Sequence, residues 1–317
     1  MRKVILCSDV ELEASAALAL LADAPNTELL GIVAGAGRVT SEIAADSASR
    51  VLGCLGLNIP VVKGTGSPMV ADLSAMRKAW ELLPEQWPVF GPVPADVCGE
   101  KGGIVPGSCG VIWLIDTLMG AQDKITLLML GPLTDLALAL KIQPAITDHI
   151  ERVIIVGGGH RYTDISAAAE FNIRYDPEAA AIVLGCAVPK YLIPLDCAYS
   201  SLISQDTIEG ALQNTSVGAL VLKLVQPLYR RYGKQNADGL SMGIPLPLLL
   251  GACFLWESAV LKDVIPYSVD VDFSGGYADG QTIFDTRRIF DDYNCLTTFT
   301  ADRTAFLDVL HTLSAAR

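Results

Sequence analysis

Paired cysteines, histidines, basic clusters and long uncharged runs are what this sequence is short of. Its eight cysteines stand singly at 7, 54, 98, 109, 186, 197, 253 and 295 with no CxxC pair, so the spacing that clasps a structural zinc ion is missing. Scattered thiols in a large chain fit a reducing compartment and a cytoplasmic protein, and most are expected to be small buried hydrophobes. Histidine occurs only at 149, 160 and 311, which leaves few groups that change charge near neutrality. No basic cluster exceeds the pairs Arg230-Arg231 and Arg287-Arg288, and the net charge is −12; both argue against nucleic acid as a partner. No window reaches the roughly 18 apolar residues of a membrane helix. The nearest runs from Pro247 to its end at Glu257. Arg2-Lys3 before an apolar run has the look of a leader, but the run stops at Ser8-Asp9 and reads better as a first strand.

What is present is apolar substance: 51% of the 317 residues are hydrophobic, enough for a large core and incompatible with disorder. Strand patterns over 4–6, 29–33, 60–62, 125–130, 152–156 and 190–194 alternate with helix patterns over 11–22, 41–55, 110–119, 133–140 and 177–184. That rhythm predicts an α/β fold with a mainly parallel central sheet and helices on both faces. Residues 84–107, rich in Pro and Gly, read as an irregular loop, and 200–243 as helical with bends at Gly233 and Gly239. Without a repeat or a polar linker, residues 1–317 read as a single domain. Ligands of such sheets lie beyond the carboxyl ends of the strands, so the segments following each strand are the candidates.

After the first strand come Asp9, Glu11 and Glu13 at a strand-to-helix turn. Carboxylates there suit the helix dipole, and that structural role suffices for Glu11 and Glu13 taken alone. After the strand over 152–156 come Gly157-Gly158-Gly159-His160. His160 is an acid–base or substrate-binding candidate, or simply a polar loop residue. Glu170 and Asn172 flank Phe171 and, in extended chain, point the same way; a carboxylate beside an amide suits sugar hydroxyls. Asp176-Pro177 reads as an N-cap followed by N1 of a helix.

Glu170-Phe171-Asn172 with Asp176-Pro177-Glu178-Ala179-Ala180 resembles the central signature of the inosine-uridine-preferring nucleoside hydrolases. Leu130-Gly131-Pro132-Leu133-Thr134-Asp135 resembles their GPLTN segment, residues 4–14 their opening strand and DxDPGxDD loop, and Gly275 with Gly280-Gln281-Thr282 and Asp285 their late G…GQT…D blocks. The resemblance implies cleavage of the N-glycosidic bond of a ribonucleoside, with calcium holding the ribose diol and the attacking water, and a homo-oligomer. Carried over residue by residue, the family's ligand and general base falls on Asp9. Its first Asp falls on Cys7, and its DD pair on Glu13 and Ala14. Its late general-acid His falls on Pro247 and its last calcium carboxylate on Leu248, or on Asp238 under a shifted alignment. The carbonyl ligand falls on Leu130, and two sugar-facing Asn positions on Arg38 and Asp164. Cys98 stands for the His of a HGxxG loop. One carboxylate and one carbonyl make a poor calcium cage, so the expectation is no metal and no other cofactor.

The resulting site is Asp9 and Glu13 as catalytic residues, with Arg38, Asp164, Glu170, Asn172 and His160 against a small-molecule substrate. Arg38 is either a replacement charge that neutralises Asp9 or Glu13 or a solvated loop residue. Cys7 and Cys98 read as inert thiols, since nothing nearby activates them. Three functions fit: metal-independent cleavage of an N-glycosidic bond, an enzyme of a specialised biosynthetic pathway acting on a non-nucleoside, or a non-catalytic ligand-binding protein.

Overall fold

The computed structural model describes the chain apart from residues 23, 72–90, 100–102, 105–106, 213–214, 234–242, 288, 290 and 316–317. Much of the irregular loop expected over 84–107, the bend at Gly239, Asp238 and the end of the Cys98 segment therefore lie outside the described residues. In chain order the elements are β1 (Arg2–Ser8), α1 (Leu12–Leu21), β2 (Thr27–Ala34), α2 (Ser41–Cys54), β3 (Val61–Lys63), α3 (Gly110–Met119), β4 (Ile125–Met129), α4 (Thr134–Ile142), β5 (Ile150–Val156), α5 (Phe171–Tyr175) and α6 (Pro177–Gly185). They continue with β6 (Lys190–Ile193), α7 (Leu195–Tyr199), α8 (Gln205–Leu212), α9 (Ser216–Tyr232), α10 (Pro247–Trp256), β7 (Ile265–Tyr267), β8 (Val269–Val271), β9 (Thr282–Phe284), β10 (Cys295–Thr297) and α11 (Arg303–Ser314).

Eight strands form one sheet in the order β3-β2-β1-β4-β5-β6-β10-β7. Its pairings are parallel except at the edge, where β7 runs antiparallel to β10. A separate hairpin joins β8 to β9. The central strands are apolar on both faces because helices cover both. In β1, Val4 and Leu6 enter the core shared with α1, α2, α9, α10 and α11. Ile5 and Cys7 enter the opposite core with α3, α4 and α6. The same two-residue alternation separates Ile154 and Val156 from Val153 and Ile155 in β5. Cys7 is thus a core residue of the second layer, and burial pushes its thiol far up, so it is inert. Cys98, also buried, is pushed up to about 12 by burial and by Cys54.

From β1 the chain moves outward to β2 and β3, and then returns to the other side of β1 with β4. The order reverses between β1 and β4, and adjacent connections diverge there. That divergence opens a crevice at the carboxyl ends of these strands.

Two sequence expectations change. Residues 170–172 are not extended: Glu170 is the N-cap of the short helix α5, its carboxylate accepting from Asn172 N at 2.9 Å and Ile173 N at 3.2 Å. A side chain that satisfies the first helical amides favours a turn over a strand. Among the described residues, the helical stretch over 200–243 holds two helices, α8 and α9, the second ending at the expected Gly233. Asp176 performs its expected capping role and a further one. Oδ1 accepts from Ala179 N at 3.1 Å, while Oδ2 accepts from Thr134 Oγ1 at 2.7 Å and Met69 N at 2.8 Å. It therefore ties α6 to α4 and to the loop after β3. Asp176→Ala is expected to cost about 3 kcal/mol, since cap and buried hydrogen bonds go together; urea unfolding measures it.

Candidate functional site

Beyond the carboxyl ends of the strands lies a cavity of about 750 Å³, within the usual range for small-molecule sites. Asp9, Glu11 and Glu13 line it from the turn after β1, Arg38 from the loop after β2, and Leu130 from the end of β4. Val156, Gly157, Asp164, Glu170 and Asn172 line it from β5 and the segment beyond. The opposite wall carries Tyr199, Leu228, Arg231 and Tyr232 with Ile244, Pro247 and Leu248. Asp9, Glu13, Arg38, Asp164, Glu170 and Asn172 therefore come together as expected of one site. His160 does not join them. It is exposed, its ring stacked on Phe299 with centroids 4.9 Å apart and edge-on to Phe284 at 5.8 Å. The strand-end rule placed its backbone near the cleft, but an aromatic cluster outside the cavity holds the side chain.

The turn after β1 is tightly built. Val10, a buried β-branched residue, has φ 40°, a conformation that costs about 1–3 kcal/mol. Its amide donates to Ser8 Oγ and its carbonyl accepts from Ser15 Oγ, which hold it there. A Cβ on Gly37 would collide with the Asp9 carboxyl. With glycine there, the loop after β2 closes on Asp9, and Arg38 N donates to Asp9 Oδ2 at 2.7 Å. Burial raises the Asp9 pKa above the usual carboxylate range against this hydrogen bond and the Arg38 charge.

Each remaining carboxylate also meets backbone amides. Glu11 is the N-cap of α1, Oε1 accepting from Glu13 N at 3.0 Å and Ala14 N at 3.1 Å. Burial and the neighbouring Asp9 push it up to about 7. Glu13 reaches across the crevice to α10, whose own N-cap, Leu246, provides no side-chain bond. Glu13 Oε1 accepts from Leu248 N at 2.7 Å and Leu249 N at 3.1 Å, and burial and Glu11 push Glu13 up to about 8. Glu170 Oε2 also accepts from Gly158 N at 2.8 Å, and burial with Asp164 raises its pKa. Asn172 Nδ2 donates to Val156 O at 2.9 Å. Thr282 of the GQT block holds the adjoining turn, its Oγ1 accepting from Gly159 N at 2.9 Å.

Arg38 is half-buried, not a solvated loop residue. Its Nη2 lies 2.5 Å from Asp164 Oδ2, and its guanidinium carbon sits 4.1 Å above the centre of the Phe171 ring. Asp164 Oδ1 accepts in turn from Phe171 N at 2.8 Å. Burial alone would lower the Arg38 pKa, but Asp164, Glu11, Asp9 and Glu170 together raise it. Its ion-pair partner is thus Asp164, while its field reaches Asp9 and Glu13.

Sequence reasoning missed Tyr199, Arg231 and Tyr232 because they arrive from α7 and α9, which carry no motif. It also read Glu11 only as a helix cap. Its Oε1 fills that role, yet Oε2 is buried without a hydrogen-bond partner among the described residues.

A mainly parallel α/β sheet with a carboxylate-rich crevice at its strand ends belongs to the class of open sheets that bind small molecules there. Within that class the family model described as inosine-uridine preferring nucleoside hydrolase matches residues 4–308, and the chain belongs to this family of hydrolases acting on N-glycosidic bonds. The chain is 31% identical over 207 residues to the pyrimidine-specific ribonucleoside hydrolase RihB of Escherichia coli, a stretch covering 65% of this chain and 64% of that relative. Among solved structures, the fold matches the purine-preferring ribonucleoside hydrolase from Gardnerella vaginalis with TM-score 0.79 at 22% identity over 99% of both chains. It matches the inosine-uridine preferring nucleoside hydrolase from Bacillus anthracis with TM-score 0.78 at 22% identity over the whole of both. Among the described residues no helix is long and apolar enough to cross a membrane.

The calcium ion that the family implies is a poor match to the side chains present. Ala14 offers a methyl group and Leu248 an apolar side chain, while Asp9 and Glu13 each commit an oxygen to backbone amides. Among the described residues no group of three or more His, Cys, Asp or Glu is arranged to hold a metal ion.

Glu11 and Glu13 keep protons in the folded state that the unfolded chain releases near 4.5. Their contribution to stability is therefore full below that value and lost as pH rises through about 7 to 8. The melting temperature is expected to fall by several degrees between about pH 5 and pH 8.5, and Glu13→Gln to flatten that fall in a calorimetric pH series. At a single pH, Glu13→Ala is expected to destabilise by about 1–2 kcal/mol through loss of the α10 cap. Glu13→Gln, which retains an acceptor oxygen, loses less; equal losses would remove the capping role.

Proposed function

We propose that the chain is a divergent nucleoside hydrolase that cleaves the N-glycosidic bond of a ribonucleoside-like substrate without calcium, as a cytoplasmic homo-oligomer of single-domain subunits spanning 1–317. The observation that carries this reading is Asp9: a buried carboxylate at the end of the central strand, on the cavity wall, held by Arg38 N at 2.7 Å. A carboxylate whose pKa lies above its usual range is a better proton acceptor for water. In the reaction, a water oxygen bonds to C1′ of the sugar, its proton passes to Asp9, and the bond to the base nitrogen breaks with its electron pair leaving on the base. Arg38, Asp164 and Asn172 border the sugar, Glu170 orders the wall behind it, and Glu13 lies beside the reacting end. The positive ends of α1 and α10 and the Arg38 guanidinium supply the favourable field that carboxylates need in a water-poor cleft.

A second reading, a ligand-binding protein without chemistry, is favoured by one observation: Glu13 and Glu170 already commit oxygens to backbone amides. Reducing-sugar release from purine, pyrimidine and modified ribonucleosides, measured with calcium and with chelator, separates the two. The expected result is release that survives the chelator and falls about a hundredfold or more in Asp9→Asn. Calcium-dependent release would return the metal to the site, and no release from any nucleoside would favour the binding reading.

A further inference from the structure

We propose that Cys54 and Cys98 are a modification site: under a small-molecule disulfide they join into a disulfide bond that staples residues 91–99 to the end of α2. Neither residue is among those lining the cavity, and no motif spacing announces the pair. The fold brings the two thiols together. Ser47, Arg50 and Cys54 recur at helical spacing and share one face of α2. Each holds the same stretch of chain. Ser47 Oγ accepts from Val93 N at 3.2 Å, and Arg50 Nη1 donates to Cys98 O at 3.1 Å. Cys54 Sγ donates to Val97 O at 3.6 Å, and the Cys54 and Cys98 thiols are hydrogen-bonded to each other. Arg50 is steadied by Asp46, one turn back in the helix, at 2.7 Å. The other partner is equally fixed. A turn closes on Pro94 O, which accepts from Val97 N at 3.0 Å and Cys98 N at 3.1 Å, and Val93 and Cys98 are core residues. Thiols already in hydrogen-bond contact, on two segments held in register, have most of the approach to a disulfide's roughly 2 Å completed.

The two cysteines divide the chemistry between them. Cys54 is exposed and Cys98 is fully buried, so a reagent in solution meets Cys54 first. The Cys54 thiolate bonds to one sulfur of the small disulfide, whose S–S bond breaks and releases one small thiol. Cys98 then gives up its proton and bonds to Cys54 Sγ, and the second small thiol leaves with the electron pair of the mixed S–S bond. Two protein thiols are oxidised and the reagent is reduced to two thiols. The Cys98 thiol is held up at about 12 by burial first, then by its bond to Cys54 and the charge there; Lys223 and Arg50 act the other way. Once Cys54 carries the mixed disulfide its charge is gone, which eases the second step. In a reducing compartment such a bond forms only when the thiol pool becomes oxidised, so the staple is conditional.

The reduced full chain, treated with oxidised glutathione, quenched with an alkylating reagent and digested without reductant, is expected to yield a peptide pair linked through Cys54 and Cys98. The bond closes a loop of about 45 residues, so the melting temperature of the oxidised chain is expected to rise by several degrees and to return with dithiothreitol. In Cys98→Ser the exchange is expected to stop at glutathione on Cys54. In Cys54→Ser, a change at an exposed position that leaves the core intact, Cys98 is expected to stay reduced and the rise to vanish. Glutathione that stays on Cys54 of the parent chain, a cross-link that bypasses either residue, a melting temperature that the bond leaves unchanged, or modification of Cys98 in Cys54→Ser would each overturn the proposal. No substrate enters the test, so these outcomes are independent of sugar release.

Discussion

A carboxylate taken out of water must be met by something positive, and in this molecule that requirement shapes the crevice. Asp9, Glu11, Glu13 and Glu170 are nearly inaccessible at the carboxyl ends of parallel strands. Backbone amides do much of that work here. Glu11 takes the first amides of α1, Glu13 those of α10 and Glu170 those of α5. Each contact satisfies a buried carboxyl oxygen and a helix end at once. The cavity walls consequently stand on their own acids: α1 and α10 are fixed relative to each other by a bond between residues 235 apart in sequence. The amide of Leu248 is itself one of the anchor points of this region.

The architecture was legible because both-face burial writes apolar runs into parallel strands and because capping residues are local. The helix over 110–119 has the bounds its pattern implies, and Asp176-Pro177 opens α6 as read. What failed did so for equally local reasons. Glu170 and Asn172 look alternately placed in extended chain, but a carboxylate one residue ahead of free amides turns the chain into a helix. His160 follows a strand end, yet its ring finds Phe284 and Phe299 from segments more than a hundred residues away.

The site divides along the same line. Asp9, Glu13 and Asn172 were legible through motif order, while their hydrogen-bond partners were not. Nothing in residues 11–14 announces that Glu13 will cap α10 or that one oxygen of Glu11 will find no partner among the described residues. Arg38 shows the limit well. A cation in an acidic cleft was a sound expectation, but Phe171 beneath its guanidinium and Asp164 at its edge decide where the charge sits. A planar guanidinium on a ring face is held more firmly than a flexible ammonium would be.

The turn that carries Asp9 bears most directly on whether this crevice still does chemistry. Val10 holds a left-handed conformation that a β-branched residue resists, and the close approach of Gly37 leaves no room for a side chain against Asp9. Both features position one carboxyl, and neither is needed to cap α1, which Glu11 does from the next residue. Strain of this kind persists only where the surroundings impose it, and it gathers where a group has to be aimed. In a pocket that merely filled space, relaxing Val10 would gain about 1–3 kcal/mol at no evident cost. The strained turn thus weighs on the side of a working carboxylate, and against a crevice that has lost its chemistry and kept only its shape.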